Sequence, residues 1–212
     1  MFVRTETPPR YSDYRRYKPH LRRDVQYWCA YCTIHEAEFG GHFNFHVDHF
    51  RLQSLFPNLR TEYSNLYYAC SICNSYKSDT WPIEEQIARG RRFLDPCADD
   101  YAAHFEQQPD GTLRELTEPA KYTSAHLRLN RKQLVKLRHE RKEQEQAFTH
   151  RVGLIQENLQ KIDRLLLVAS LPDTVFNTLS QMREQLQQQL LYEHNVRANF
   201  FVPPYEMDEE IS

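Results

Sequence analysis

The chemistry this chain can offer centres on two cysteine pairs. Cys29 and Cys32 form one C-x-x-C, and Cys70 and Cys73 form another, with residues 33 to 69 between them. A C-x-x-C turn aims two sulfurs at one point, so two such turns suit a tetrahedral zinc ion held by four thiolates. Sulfur in all four positions leaves no open coordination site. The ion is therefore expected to staple the fold and take no part in a reaction. Four buried, unligated thiols are the bland alternative. Cys97 has no partner at ligand spacing and reads as a small buried residue.

A second set of reactive types lies between and just beyond these pairs, in the stretch from His46 to Asp79. Asp48 and Asn74 carry hard oxygen donors of the kind magnesium takes up together with water. His49, when neutral, can accept a proton from an attacking water, so activity should fall as the imidazole becomes protonated. Neighbours on a regular strand face opposite ways, and the strand must twist or end at Asp48-His49 if both are to serve one centre. By the same alternation His46 shares a face with Asp48 and is a candidate neighbour of the metal. A lone extra histidine is more often a packing or surface residue.

Taken in order, Cys29-x-x-Cys32, Val47-Asp48-His49, Asn65-Leu66 and Cys70-x-x-Cys73-Asn74-x-x-Lys77 resemble the zinc-bearing HNH endonuclease family over about residues 27 to 80. The stretch Asn74 to Asp79 is also similar to the helix of HNH domains in RNA-guided effectors. The resemblance implies a ββα-metal core: a strand ending at His49, a long loop, a strand near Leu66 to Ala69, and a helix from Ser71 that presents Asn74. It implies His49 as general base, Asp48 and Asn74 as ligands of a catalytic Mg2+ or Mn2+, Asn65 as the brace of the loop that orients His49, and Lys77 as a phosphate contact. The implied reaction is hydrolysis of DNA, leaving a 5′-phosphate and a 3′-hydroxyl. The proline common three residues after the Asp-His pair is replaced by Leu52, which leaves the loop conformation open. The segments RFLDPCADD and LRLNRKQLVKLR resemble, more weakly, extensions of bacterial HNH proteins of defence and retron-associated type. That similarity implies antiphage defence, with a regulatory ATPase or another defence-system protein as partner.

These side chains need elements to place them. FNFHVDHF alternates as a strand, NLYYAC reads as a second, and SICNSYKSD begins a helix. Asp110-Gly111 marks a small hairpin. Phe148, Val152, Ile155, Leu159, Ile162 and Leu166 step by four and three, as do Val175, Leu179, Met182, Leu186 and Leu190 with an extra four. SLPD at 170–173 should break this region into two antiparallel helices with Asp173 as N-cap. The fold class expected is α+β, a small zinc-stapled core followed by a helical hairpin. We divide the chain into a basic arm with one short helix near Ser12 to Tyr17 (1–26), the nuclease core (27–95), a linking subdomain (96–125), the hairpin (126–200) and an acidic tail (201–212). The hairpin could buttress the core, make a homodimer or hold a partner protein.

Composition sets the outer limits. A chain of 212 residues, 40% hydrophobic and 26% charged, can bury a core of useful size. Its apolar runs fall far short of the roughly 20 residues of a membrane span, so a cytoplasmic protein with no membrane association is expected. Five cysteines in such a compartment speak against disulfides. A net charge of −2 gives no overall attraction to polyanions, and any nucleic-acid contact must come from local clusters. Arg10, Arg15, Arg16, Lys18, Arg22 and Arg23 form one, and a second lies in 131–142, although a charge run is more often a solvated face. Sequence preference is not encoded in any helix-turn-helix or other reading motif. A zinc-stapled nucleic-acid-binding or scaffold module without catalysis is the alternative. Such a chain would be expected to lack Asp48, His49 or Asn74, and all three are present.

Overall fold

A computed structural model of the chain describes residues 2–4, 8–168 and 170–199; the acidic tail and Ala169 lie outside the described residues. The chain separates into two units, one ending at Arg138 and the next beginning at His139.

The first unit is built around a two-stranded antiparallel ladder. Strand β1 (Phe45–His49) pairs with β2 (Leu66–Cys70) in a register that sets Asp48 opposite Tyr67 and His49 opposite Leu66. Every β2 residue is buried, and Phe45 stacks on Tyr68 with ring centroids 4.7 Å apart. Fully buried side chains of this size stabilise the fold by roughly 1.5–3 kcal/mol each. Helix α2 (Ser71–Lys77) follows β2 without a break, because Cys70 caps it: its sulfur accepts the Cys73 amide at 3.4 Å.

The N-terminal segment differs from a loosely attached arm. A short 3₁₀ turn, Tyr14–Tyr17, leads into helix α1 (Lys18–Asp24), and Tyr17, Leu21 and Val25 are buried in the core. Arg22, which the charge pattern places on a solvated face, is 5% exposed. Its Nε donates to Glu36 Oε2 at 2.8 Å, and a second, shorter bond joins Nη2 to Oε1. Tyr68 Oη donates to the same carboxylate at 2.9 Å. A buried charge is tolerable only with such a complete set of partners. Arg4 adds a further tie, donating to the carbonyls of Tyr63, Ser64 and Leu66 where β2 begins.

Beyond α2 come α3 (Glu84–Ala88), α4 (Tyr101–His104) and a hairpin of β3 (Phe105–Gln107) and β4 (Leu113–Glu115). Its turn uses Gly111 at φ +87°, while Asp110 Oδ1 accepts from the Thr112 amide and hydroxyl. Helix α5 (Glu118–Leu127) is capped by Thr117, and α6 (Lys132–Leu166) starts within the first unit. Arg138, nominally part of a basic face, is buried and donates to Gly111 O at 2.6 Å and Leu129 O at 2.8 Å.

In the second unit the rest of α6 faces α7 (Asp173–Asn199). Bonds from Arg183 to Asp163, Arg151 to Glu193 and Arg197 to Glu145 fix the antiparallel direction, and Ile155 and Ile162 are buried. Asp173 is the first residue of α7 and so stands one position inside the expected cap, with Pro172 before it. Among the described residues no helix is long and apolar enough to cross a membrane.

Candidate metal and catalytic centre

The four expected sulfurs converge. Cys29 and Cys32 occupy a tight turn closed by the bond from Cys29 N to Ile34 O at 2.8 Å, with Thr33 at φ +53°. Ala30 N donates to Tyr68 O at 2.9 Å, which binds this turn to β2. Cys70 ends β2, and Cys73 lies in the first turn of α2. All four Sγ atoms lie within 4.8 Å of one another, with Cys32 and Cys70 3.7 Å apart. A zinc tetrahedron with bonds of about 2.3 Å has corners about 3.8 Å apart, so the cluster fits that ion. Cys97 is outside it and half-buried.

Groups around the sulfurs strengthen the fit. Cys70 N donates to Cys29 Sγ at 3.3 Å, and the Arg131 guanidinium lies 3.7 Å from Cys32 Sγ and 3.9 Å from Cys73 Sγ. Four thiolates around one divalent ion leave a net charge of −2, which such donors offset. Burial pushes the Cys29 thiol well up. At Cys32 burial acts the same way, but hydrogen bonds from the other three cysteines and the Arg131 charge outweigh it and hold the thiol well below its usual range.

The Asp48-His49 pair sits where β1 ends. Asp48 is 6% exposed: Tyr31 Oη donates to its Oδ2 at 2.5 Å, and Lys77 Nζ lies 3.1 Å from Oδ2 and 3.4 Å from Oδ1. Burial raises the Asp48 carboxyl above its ordinary range, opposed by Lys77 and Tyr31. Lys77 Nζ also donates to the His49 carbonyl at 2.6 Å, so one ammonium ties α2 to both residues of the pair. The expectation that Lys77 reaches a phosphate does not hold, because its side chain is fully buried on these oxygens. Asn74 stands three residues before Lys77 on α2. Asn74 itself is half-exposed.

His49 has different partners. Its Nε2 lies 2.9 Å from the Arg60 carbonyl, and the Tyr14 ring meets it edge-on at 4.6 Å. The loop supplying Arg60 is closed by Asn65, whose Oδ1 accepts from Arg51 N at 2.8 Å while Nδ2 donates to Arg51 O at 3.0 Å and Leu59 O at 3.3 Å. Leu52, at the position of the missing proline, is buried and accepts from the amides of Leu55 and Phe56, so the loop closes on an apolar anchor. His46 is exposed at the opposite end of β1.

Residues 29–80 match the HNH endonuclease family. No curated protein matches the chain. The HNH domain thus spans both cysteine pairs, β1, β2 and α2, and its sulfur cluster is positioned to hold a structural metal such as zinc.

Three residues that matter to this geometry escaped sequence reading. Tyr31 lies inside the first C-x-x-C, where only its position between two ligands hinted at a use. Arg131 is hidden in a basic run whose other members look alike. Arg60 acts through its carbonyl, and sequence carries no signal for that.

Proposed function

We propose that the chain is a metal-dependent HNH endonuclease that hydrolyses DNA phosphodiester bonds, with His49 as general base. The bond between His49 Nε2 and the Arg60 carbonyl carries this reading. A carbonyl can only accept, so Nε2 holds the proton and Nδ1 keeps the lone pair. Nδ1 then takes a proton from water as the water oxygen bonds to phosphorus; the bond from phosphorus to the 3′ oxygen breaks, and that oxygen takes up a proton from solvent water. The products carry a 5′-phosphate and a 3′-hydroxyl. Asn65 closes the loop on which Arg60 stands, and Tyr31 and Lys77 fix the Asp48 carboxylate.

Asp48 and Asn74 would hold the divalent cation, Mg2+ or Mn2+. A carboxylate has about four lone-pair positions, so Tyr31 and Lys77 leave Asp48 able to accept a further partner. When bound, the cation supplies Lewis-acid stabilisation of the charge that develops on the phosphate and the leaving oxygen.

A role in bacterial antiphage defence, with a regulatory ATPase or other defence protein as partner, rests on the resemblance of the segments after the HNH domain. The exposed Leu154, Phe176 and Leu191 of the second unit are compatible with a partner or a homodimer. The second reading, a binding module without catalysis, draws on the prior engagement of Asp48 by Lys77 and Tyr31.

Supercoiled plasmid incubated with the chain and Mg2+ or Mn2+ separates the two. His49→Ala should cut about 10²–10⁴-fold more slowly than wild type, the usual contribution of a positioned acid or base. Equal rates for the two chains, or cleavage by neither, would remove the enzyme reading.

A further inference from the structure

Helix α5 ends in a way that its sequence makes costly. After Leu127 the chain turns through Arg128 at φ +48°, ψ +51°, and the Arg128 and Leu129 amides both close on the Ser124 carbonyl. This left-handed cap is the position that glycine fills most easily, and a residue with a β-carbon is strained there. Arginine occupies it instead. Nothing in the cap itself uses the side chain, since both closing bonds come from main-chain amides.

The guanidinium goes to α2. It lies over the Tyr76 ring at 4.6 Å, and the Arg131 guanidinium approaches the same ring at 5.9 Å. Tyr76 is two residues beyond Asn74 and one before Lys77, so the stack is built on the short helix that carries the metal-binding candidate. Arg128 remains solvent-exposed, at the wall of an open groove of about 540 Å³ that Lys121 also lines. A planar guanidinium stacked on an aromatic ring keeps its N–H edge for a phosphate.

The acids nearby do not cancel this. Glu115, which lines the groove, accepts from Ser124 Oγ at 2.6 Å and Asn130 Nδ2 at 3.2 Å. Glu118 holds Lys121 at 2.7 Å, but both members of that pair are largely exposed, and such pairs are weak enough to be exchanged for a phosphate.

We propose that Arg128, stacked on Tyr76, and Lys121 form a platform for the phosphodiester backbone of the nucleic acid, beside α2 and outside the segment matched by the HNH family. The proposal rests on the endonuclease reading for its substrate class. It assigns backbone contact to α5 and its cap, a region to which the metal and the general base contribute nothing.

Arg128→Gly is the informative variant, because it relieves the left-handed strain while removing the charge. The probe is a fluorescent 20-base-pair DNA duplex, titrated by anisotropy at several salt concentrations with the His49→Ala chain, and with the same chain carrying Arg128→Gly. The expected result is a melting temperature at or above the parent's and a salt slope lower by about 0.9, which at 0.1 M salt relative to 1 M is about eightfold weaker binding. If the melting temperature falls, Arg128→Gln, which keeps much of the side chain and loses the charge, decides by its salt slope. An unchanged slope in that variant, or in a stable Arg128→Gly chain, overturns the platform. Binding that depends on Arg128 without any wild-type cleavage would sink the endonuclease reading and leave the platform standing. Cleavage with no dependence of affinity on Arg128 would do the reverse.

Discussion

Replacing Lys77 by methionine tests the buried ion pair at the centre of the site. Methionine keeps the length and apolar character of the stem, so the principal loss is the ammonium beside Asp48 and the His49 carbonyl. A carboxylate stripped of its buried partner either stays ionised at high cost or takes a proton. The proton caps the cost: from the ordinary value of 3.8 to pH 7 is 3.2 units, or about 4 kcal/mol at 1.36 kcal/mol per unit. The wild-type carboxyl is already raised by burial, so part of this is present in both chains. Losing the bond to the His49 carbonyl adds about 1 kcal/mol that does not depend on pH. We expect Lys77→Met to be about 3–4 kcal/mol less stable at pH 7. A carboxyl raised in the fold contributes stability that is complete below the unfolded value and is lost as pH rises through the folded one. Removing Lys77 raises it further, so the difference between the chains should shrink on acidification, by up to about 2.7 kcal/mol between pH 7 and pH 5. Urea unfolding at saturating zinc, followed by tryptophan fluorescence, measures this. Thiolate protonation affects both chains alike and drops out of the difference. A gap that stays constant from pH 7 to pH 5, or one below about 1 kcal/mol at pH 7, would refute the buried-pair account.

Two further outcomes follow from the same structure. The purified chain should contain one zinc per molecule by metal analysis, and Cys70→Ser should lose it together with the cooperative melting transition, since a structural zinc site supplies about 10–16 kcal/mol of folding free energy. Asn65→Ala should cost about 1–3 kcal/mol, because it removes both side-chain bonds to the Arg51 main chain at the neck of the loop. It should also speed hydrogen exchange in residues 51–60 more than in β2.

Local pattern and tertiary partnership divide what sequence reveals here. The Cys spacings, the alternation of Phe45 to His49 and the run from Leu66 to Cys70 are local, and each reports directly on a turn, a half-buried strand and a buried strand. The hairpin break at Pro172 is equally local. Arg22, Lys77 and Arg138 show the limit, because a charged residue reads as solvent-facing until a carboxylate or carbonyl from elsewhere in the chain meets it. The apolar contribution of the N-terminal segment was obscured the same way, with Tyr17, Leu21 and Val25 spaced among arginines. The apolar seam from Phe148 onward marks only the later turns of α6; its start at Lys132 lies in a basic stretch with weak apolar periodicity. At the centre itself, chemical type was legible for His49, Asp48 and Asn74, while the partners that fix two of them, Arg60 O, Tyr31 and Lys77, belong to the folded chain.

The Asn65 side chain stands where another strand's peptide group would, accepting from the amide and donating to the carbonyl of one residue, Arg51. The connection from β1 to β2 is thereby fastened at its neck, and Gln53, Ser54 and Leu55 extend beyond that fastening as exposed residues. This tip is the natural splice point for an engineer: a peptide tag or a targeting module could be grafted there with the Arg60 carbonyl still held against the imidazole.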